Sequence, residues 1–277
     1  MNSAQTTLDL GTDAGRAVHG TVPPLVVRLS DSVTIIRADC RDVLPVDCDA
    51  VVTDPPYGAA THKGARSLGI DDDLKGHNAI DFDSVDADFL RGVFGQCHPK
   101  RWLVSFIEWR HCLPLEAKPP QGLDFIRFGV WTKLNPMPQL TGDRPGTGWE
   151  AVAILHPPGK KRWNGGGTSA VWAHGTSRYG YFGPSAHPTE KPVGLVGKML
   201  LQFTDDGETV CDPFMGSGTT GIACIRTGRK FIGIEKDARY FEIARARLEN
   251  ELRHGLLPLT HNVPVRRSET APGETNA

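Results

Sequence analysis

The chain has 277 residues, 39% hydrophobic and 23% charged, enough for one large domain or two small ones with a substantial core. Thirty-one Lys and Arg against 32 Asp and Glu leave a formal net charge of -1. That excludes a strongly basic nucleic-acid coat and an acidic tail protein, so a polyanion partner must be met by a local basic patch.

No stretch reaches the ~18 to 20 consecutive apolar residues of a membrane span, and the N-terminus lacks the charged-then-apolar pattern of a signal peptide. The expected location is the cytoplasm, with no membrane partner. The cysteines Cys40, Cys48, Cys97, Cys112, Cys211 and Cys224 include no C-x-x-C pair, which argues against a disulfide framework and a zinc knuckle. Cys97, His98, His111 and Cys112 match no familiar metal spacing and read as buried cysteines with incidental histidines, so no metal is expected.

Residues 1–23 and 258–277 are polar, without apolar periodicity, and are expected to be disordered tails around a domain over 24–257. β-Branched runs at 32–37 and 49–53 predict the first two strands of a parallel sheet. After a polar stretch from Gly58 to about Asp81, a helix is predicted from near Asp83 or Ser84, carrying Phe89, Val93, Phe94 and Cys97 at helical spacing. Strands follow at 102–107, 125–131 and 151–155, then a Pro/Gly-rich, strand-poor segment from His156 to Pro188.

Pro192 suits the first turn of a helix that runs to about Phe203. A short strand at 209–211, a helix from near Gly218 to Gly228, a strand at 230–234 and an amphipathic helix with Tyr240, Ile243, Ala244 and Leu248 complete the pattern. Such alternation predicts a doubly wound, mostly parallel α/β sheet covered on both faces.

The segment Asp212-Pro213-Phe214-Met215-Gly216-Ser217-Gly218-Thr219-Thr220-Gly221 sits where a strand hands over to a helix. Glycines there let backbone approach a ligand, and the helix N-terminus offers unpaired N–H groups. Glu235 ends the next strand, where a carboxylate accepts from ribose hydroxyls. Asp212 at the strand tip suits a ligand with an ammonium group better than a pyrophosphate. S-Adenosylmethionine meets that demand; a nicotinamide dinucleotide, the ligand of an oxidoreductase using Gly216, Gly218 and Gly221, is the alternative.

Asp54-Pro55-Pro56-Tyr57 follows an apolar strand, at the end where open α/β sheets bind ligands. Its plain structural reading is a Pro-Pro turn with Tyr57 packed on the surface. With the glycine-rich turn, however, it resembles the DNA amino-methyltransferases, whose catalytic tetrapeptide is Asp/Asn/Ser-Pro-Pro-Tyr and whose cofactor turn is Asp-Pro-Phe-x-Gly-x-Gly-Thr. The catalytic element precedes the cofactor element, which resembles the circularly permuted β class, and His187-Pro188-Thr189-Glu190-Lys191-Pro192 matches that class's cofactor-loop motif. Trp131-Thr132-Lys133-Leu134-Asn135-Pro136 looks like a segment of phage-type adenine methyltransferases.

The resemblance implies a class I S-adenosylmethionine-dependent fold, split into a catalytic half at 24–155, a target-recognition segment at 156–186 and a cofactor-binding half at 187–257. It implies DNA as partner, with a homodimer as an allowed assembly. It assigns catalysis to Asp54, Pro55, Pro56 and Tyr57. Asp54 and the Pro55 carbonyl would accept from a target amino group, and Tyr57 would stack on the extruded base.

Cofactor binding falls to Asp39, Cys40, Thr189, Lys191, Asp212, Pro213, Phe214, Gly216, Ser217, Gly218, Thr219 and Glu235. Asp39 would meet the adenine amino group or, as plain structure, cap a turn. Lys191 would pair with the methionine carboxylate or remain a solvated loop lysine, and Asp237 reads as a helix N-cap. Asp54, rather than Ser, favours adenine N6 over cytosine N4. A DNA-binding relative without catalysis is a further alternative.

The recognition segment carries Lys160, Lys161, Arg162 and Arg178 among Trp163, Trp172, Tyr179, Tyr181 and Phe182, and no acid. It is the expected site of phosphate contacts, unless its aromatics pack inward. The stretch from Gly58 to Asp81 is either a lid that orders on DNA or a solvated loop.

Overall fold

Valine- and isoleucine-rich segments become the middle of a sheet because both their faces are covered. In the computed structural model, which describes residues 23–57, 85–136, 138–139, 141–176 and 190–255, the strands are β1 (Leu25–Ser30), β2 (Val33–Arg37), β3 (Ala50–Thr53), β4 (Leu103–Ile107), β5 (Asp124–Lys133), β6 (Trp149–His156), β7 (Val171–His174), β8 (Thr209–Asp212) and β9 (Lys230–Glu235). The helices are α1 (Cys40–Val43), α2 (Ala87–Cys97), α3 (Cys112–Ala117), α4 (Val193–Phe203), α5 (Thr219–Arg226) and α6 (Ala238–His254). Expectations for the two tails, the Gly58 to Asp81 stretch, Arg178 and Thr189 fall outside the described residues.

The strands form one sheet in the order β1-β2-β9-β8-β3-β4-β6-β5-β7. From β2 to β4 all neighbours are parallel, whereas β1 joins β2, β6 joins β4, and β5 joins β6 antiparallel. Two expectations change here. The runs at 32–37 and 49–53 are separated by β9 and β8, and an antiparallel edge strand, β1, precedes them. The strand-poor segment also contains β7, paired in parallel with Val130–Lys133 of β5.

Side chains alternate between the two faces, as a period of two requires. Val33, Ile35, Val52, Val104 and Phe106 pack with Leu195, Met199, Ala223, Phe241 and Leu248 of α4, α5 and α6. Ile36, Val51, Leu103 and Ile107 pack on the other face with Val43, Leu90, Phe94 and Leu115 of α1, α2 and α3. Helix α2 begins later than the sequence suggests, because Asp86 caps it by accepting from the Phe89 N–H at 2.8 Å. Pro192 is likewise the N-cap of α4, one position before its first turn.

The helices following β3 and β8 cover opposite faces although the two strands are neighbours. That is a topological switch point, and it opens a crevice at the carboxyl ends of β3 and β8.

Candidate active site

Two chain segments far apart in sequence meet at this crevice. Thr53, at the end of β3, donates from its hydroxyl to Asp212 Oδ1 at the end of β8, 2.6 Å away. The Phe214 N–H reaches the same oxygen at 3.1 Å. Asp212 is buried, and burial lifts its carboxyl to about 6 against the opposing bonds from Thr53 and Phe214. An acid so placed gains from a cationic ligand.

Between Asp212 and α5 the chain turns with positive φ at Gly216 (53°) and Gly218 (87°). A side chain at Gly218 would be strained and would press on Ala244 Cβ at 3.2 Å. Glu235, at the end of β9, accepts from the N–H groups of Gly216 and Asp237, both at 2.8 Å. Burial raises its carboxyl to about 7. Asp237 caps α6 through the Tyr240 N–H at 2.9 Å, as its sequence position suggested.

After β2, Asp39 caps α1, and both of its oxygens bind the Arg41 guanidinium, at 2.9 and 2.7 Å. Burial acts upward on the Asp39 carboxyl, but the Arg41 bonds hold it below its ordinary value. The adjoining Cys40 is buried, and its thiol is pushed up to about 12. Acids therefore stand at or just past the tips of β2, β9 and β8, beside a glycine turn with close backbone. This set fits a ligand that carries ribose, adenine and an ammonium group.

Ser217 and Thr219 are buried on the same turn. Arg247 of α6 donates to the Ser217 carbonyl (2.7 Å) and Oγ (2.8 Å) and pairs with Glu190, and Thr219 Oγ1 reaches Glu190 at 3.3 Å. Arg247 thus fastens the segment before α4 to the 216–219 turn. Nothing in the sequence marks it beyond the helical repeat of α6.

On the β3 side, Lys191 Nζ donates to Asp54 Oδ2 at 2.6 Å and lies 3.3 Å from Glu150 Oε2. Glu150, on β6, also pairs with Lys133 of β5 at 2.7 Å and accepts from the Tyr57 hydroxyl at 2.8 Å. The Lys191 ammonium sits 5.2 Å from the Tyr57 ring centre and 5.1 Å from that of Phe106. Lys191 is therefore buried against Asp54 and is not a solvated loop lysine.

Burial pushes the Asp54 carboxyl up, with Lys191 opposing. Burial acts the same way on Glu150, yet Lys191 and Lys133 hold it below its ordinary value, and two carboxylates keep Lys191 protonated against burial. Asp54 Oδ1 is buried without a hydrogen-bond partner. That oxygen retains free capacity to accept a hydrogen bond. Lys133 lies in a segment the sequence singled out; Glu150 carried no motif at all.

The basic residues expected on DNA lie elsewhere. β6 is antiparallel to β4, so its Trp149 end faces the crevice and its His156 end the opposite edge. Lys160, Lys161 and Arg162 follow His156, and the Arg162 carbonyl accepts from Trp102 Nε1 (2.6 Å) just before β4 begins. Arg162 pairs with Asp205 at 3.0 Å. Asp54 follows Thr53, which pairs with Ser105, so the group lies about 13 Å from it along the strands. That places these three residues toward the end of the sheet opposite Asp54.

The described aromatics of the segment pack inward, Trp163 against Phe203 and Trp172 fully buried with its Nε1 on Gln202. β7 returns the chain to the crevice edge at Thr176, and Glu190 and Lys191 resume there.

A family model described as DNA methylase matches residues 48–246. The Type II methyltransferase M2.DpnII of Streptococcus pneumoniae is 27% identical over 234 residues, 75% of this chain and 84% of that protein. M2.LlaDCHI of Lactococcus lactis subsp. cremoris is 26% identical over 257 residues, 82% and 93% of the two chains. Among solved structures, the M1.HpyAVI-SAM complex superposes with a TM-score of 0.57 at 27% identity, covering 78% of this chain and 98% of that one. The cytosine-N4-specific PvuII DNA methyltransferase shares the fold, with a TM-score of 0.59 at 14% identity over 82% and 95% of the chains. The matched residues contain Asp54 to Tyr57 and Asp212 to Thr219, the two elements that meet at the crevice, and the chain belongs to the DNA methylase family.

Proposed function

We propose that this enzyme transfers a methyl group from S-adenosylmethionine to the exocyclic N6 amino group of an adenine flipped out of DNA. The observation that carries the reading is the bare, buried Oδ1 of Asp54 beside the Asp212 turn. The neighbour M1.HpyAVI was solved as a complex with SAM, and the relatives M2.DpnII and M2.LlaDCHI are Type II methyltransferases. Asp54 favours adenine by resemblance; the fold alone does not choose, because the PvuII enzyme is cytosine-N4-specific.

Asp212, Glu235 and Asp39, with the 216–219 turn, would hold the cofactor, which supplies an electrophilic methyl group on a sulfonium. An exocyclic amine is a weak nucleophile because its lone pair is delocalised into the ring. Asp54 Oδ1 and the Pro55 carbonyl accept its two N–H groups and localise that lone pair toward the methyl carbon. Pro55 and Pro56 stiffen the backbone that aims these acceptors. Tyr57 stacks on the base and offsets part of the unstacking cost. The N–C bond forms as the S–C bond breaks with its electrons going to sulfur, and the nitrogen then loses a proton to solvent past Asp54.

DNA meets the crevice edge of the sheet. Exposed there are Trp109 and Arg110 after β4, and Leu134, Arg144 and Trp149 around the β5–β6 connection. Thr176 and Glu190, the described residues on either side of 177–189, lie at the same edge. We assign catalysis to 24–155, recognition to 156–186 and cofactor binding to 187–257, in a cytoplasmic enzyme.

The test is radiolabelled methyl transfer to unmethylated genomic DNA, followed by nucleoside mass spectrometry. Wild type should yield N6-methyladenine, and Asp54→Ala should lose at least about 100-fold in rate. Wild-type activity in the variant would sink the mechanism, and N4-methylcytosine alone would sink the choice of base.

A further inference from the structure

We propose that Glu150 is a positioning residue of the methyl-transfer site: one carboxylate ties the Tyr57 hydroxyl and the Lys191 ammonium together, so that the stacking ring and the accepting oxygen are set as a unit. The inference rests on the methyl-transfer reading and adds a residue that no motif contains.

Glu150 accepts from the Tyr57 hydroxyl at 2.8 Å and lies 3.3 Å from Lys191 and 2.7 Å from Lys133. Lys191 in turn holds Asp54 Oδ2 at 2.6 Å, which leaves Oδ1 bare. The phenol bond fixes how the ring can turn, and the ammonium is shared between two carboxylates. Asp54 and Glu150 balance Lys133 and Lys191, so the cluster is neutral overall. Removing one charge from such a partly buried cluster leaves its partner poorly compensated.

The competing account is that Glu150 is only the counter-ion of Lys133. That account leaves the Tyr57 bond and the Lys191 contact without a role, and it makes a different prediction. If Glu150 serves Lys133 alone, removing both residues restores function. If it sets Tyr57 and Lys191, the double variant stays defective.

The pH response reports whether Glu150 and Asp54 are electrostatically coupled, and the Lys133 double variant separates the two accounts. The charged or titratable groups that bear on Asp54 are Lys191 before α4, Glu150 on β6, Lys133 on β5, Tyr57 and Asp212. Glu150 raises the Asp54 carboxyl, so neutralising it moves the acid limb of the rate profile to lower pH.

The experiment measures kcat, apparent KM for unmethylated genomic DNA and the pH profile of Glu150→Gln, Tyr57→Phe, their double variant and Glu150→Gln with Lys133→Met. Glu150→Gln is expected to raise the DNA KM about tenfold, as for loss of one charge-assisted bond. Tyr57→Phe should raise it comparably, and the double variant should be no worse than the poorer single one. The Glu150/Lys133 double variant should remain defective.

A wild-type KM and acid limb in Glu150→Gln, independent effects that multiply, or full recovery on removing Lys133 would each overturn the proposal. A readout independent of turnover is the tyrosine ring-carbon NMR signal that Tyr57→Phe removes. In Glu150→Gln that signal alone should shift, and an unmoved signal counts against the proposal. Should wild type transfer no methyl to DNA, the functional reading fails, whereas this signal still decides whether Glu150 holds Tyr57.

Discussion

Asp212 and Glu235 sit at neighbouring strand tips, lifted by burial to about 6 and about 7. A bound cation or hydroxyl donor favours their ionised forms, so binding releases protons wherever the free groups are still protonated. S-Adenosylmethionine affinity should therefore fall as pH drops below about 7, and fall faster below about 6. In the free protein the sign is opposite. The folded state holds protons that the unfolded chain has lost, so these two groups favour folding in acid and lose that contribution as pH rises through 7. Calorimetric titration in buffers of different protonation enthalpy checks the linkage, and Glu235→Gln should flatten the affinity profile between pH 6 and 8.

At the level of elements, Gly221 lets α5 lie close to β9 and α6. A Cβ there would come within 2.7 Å of Leu248 Cδ2 and of the Phe231 ring, both fully buried. Gly221→Ala should destabilise the protein by about 1–3 kcal/mol, read from denaturant unfolding, while Asp54 chemistry in the folded fraction is retained.

The buried central strands were legible in the sequence because β2, β3, β4, β8 and β9 are short apolar runs bounded by turns. β1 was not, since its residues are half-buried on an edge, and neither was β7, whose four residues are held by Trp172 packing on Phe203 and Gln202. The site divides in the same way. Asp54 to Tyr57, Asp212 to Thr219 and Glu235 belong to contiguous patterns. Glu150 reaches Tyr57 across 93 residues of sequence, and only the antiparallel insertion of β6 beside β4 brings it there.

For the whole molecule, the opposition between the crevice edge and the Lys160 to Arg162 edge becomes a binding experiment. Neutralising Arg110 and Arg144, both exposed at the crevice edge, should weaken DNA binding on all sequences. It should also flatten the log K against log salt slope by up to about 0.9 for each phosphate that is no longer neutralised. Neutralising Lys160, Lys161 and Arg162 together should leave both quantities near wild type in filter-binding titrations. The reverse pattern would return the duplex to the far edge.

The interleaving of β9 and β8 between β2 and β3 has a consequence for synthesis. β2 and β3 leave the ribosome early, but the strands that must lie between them come nearly 160 residues after β3, as the Thr53–Asp212 bond records. Until then the nascent chain carries two apolar strands with bare inner edges, open to wrong pairing. The parallel core closes by insertion in the middle, not by growth at a rim. Its rate of formation is set by a large loop-closure entropy, and in the cell its yield depends on what shields those edges while translation finishes.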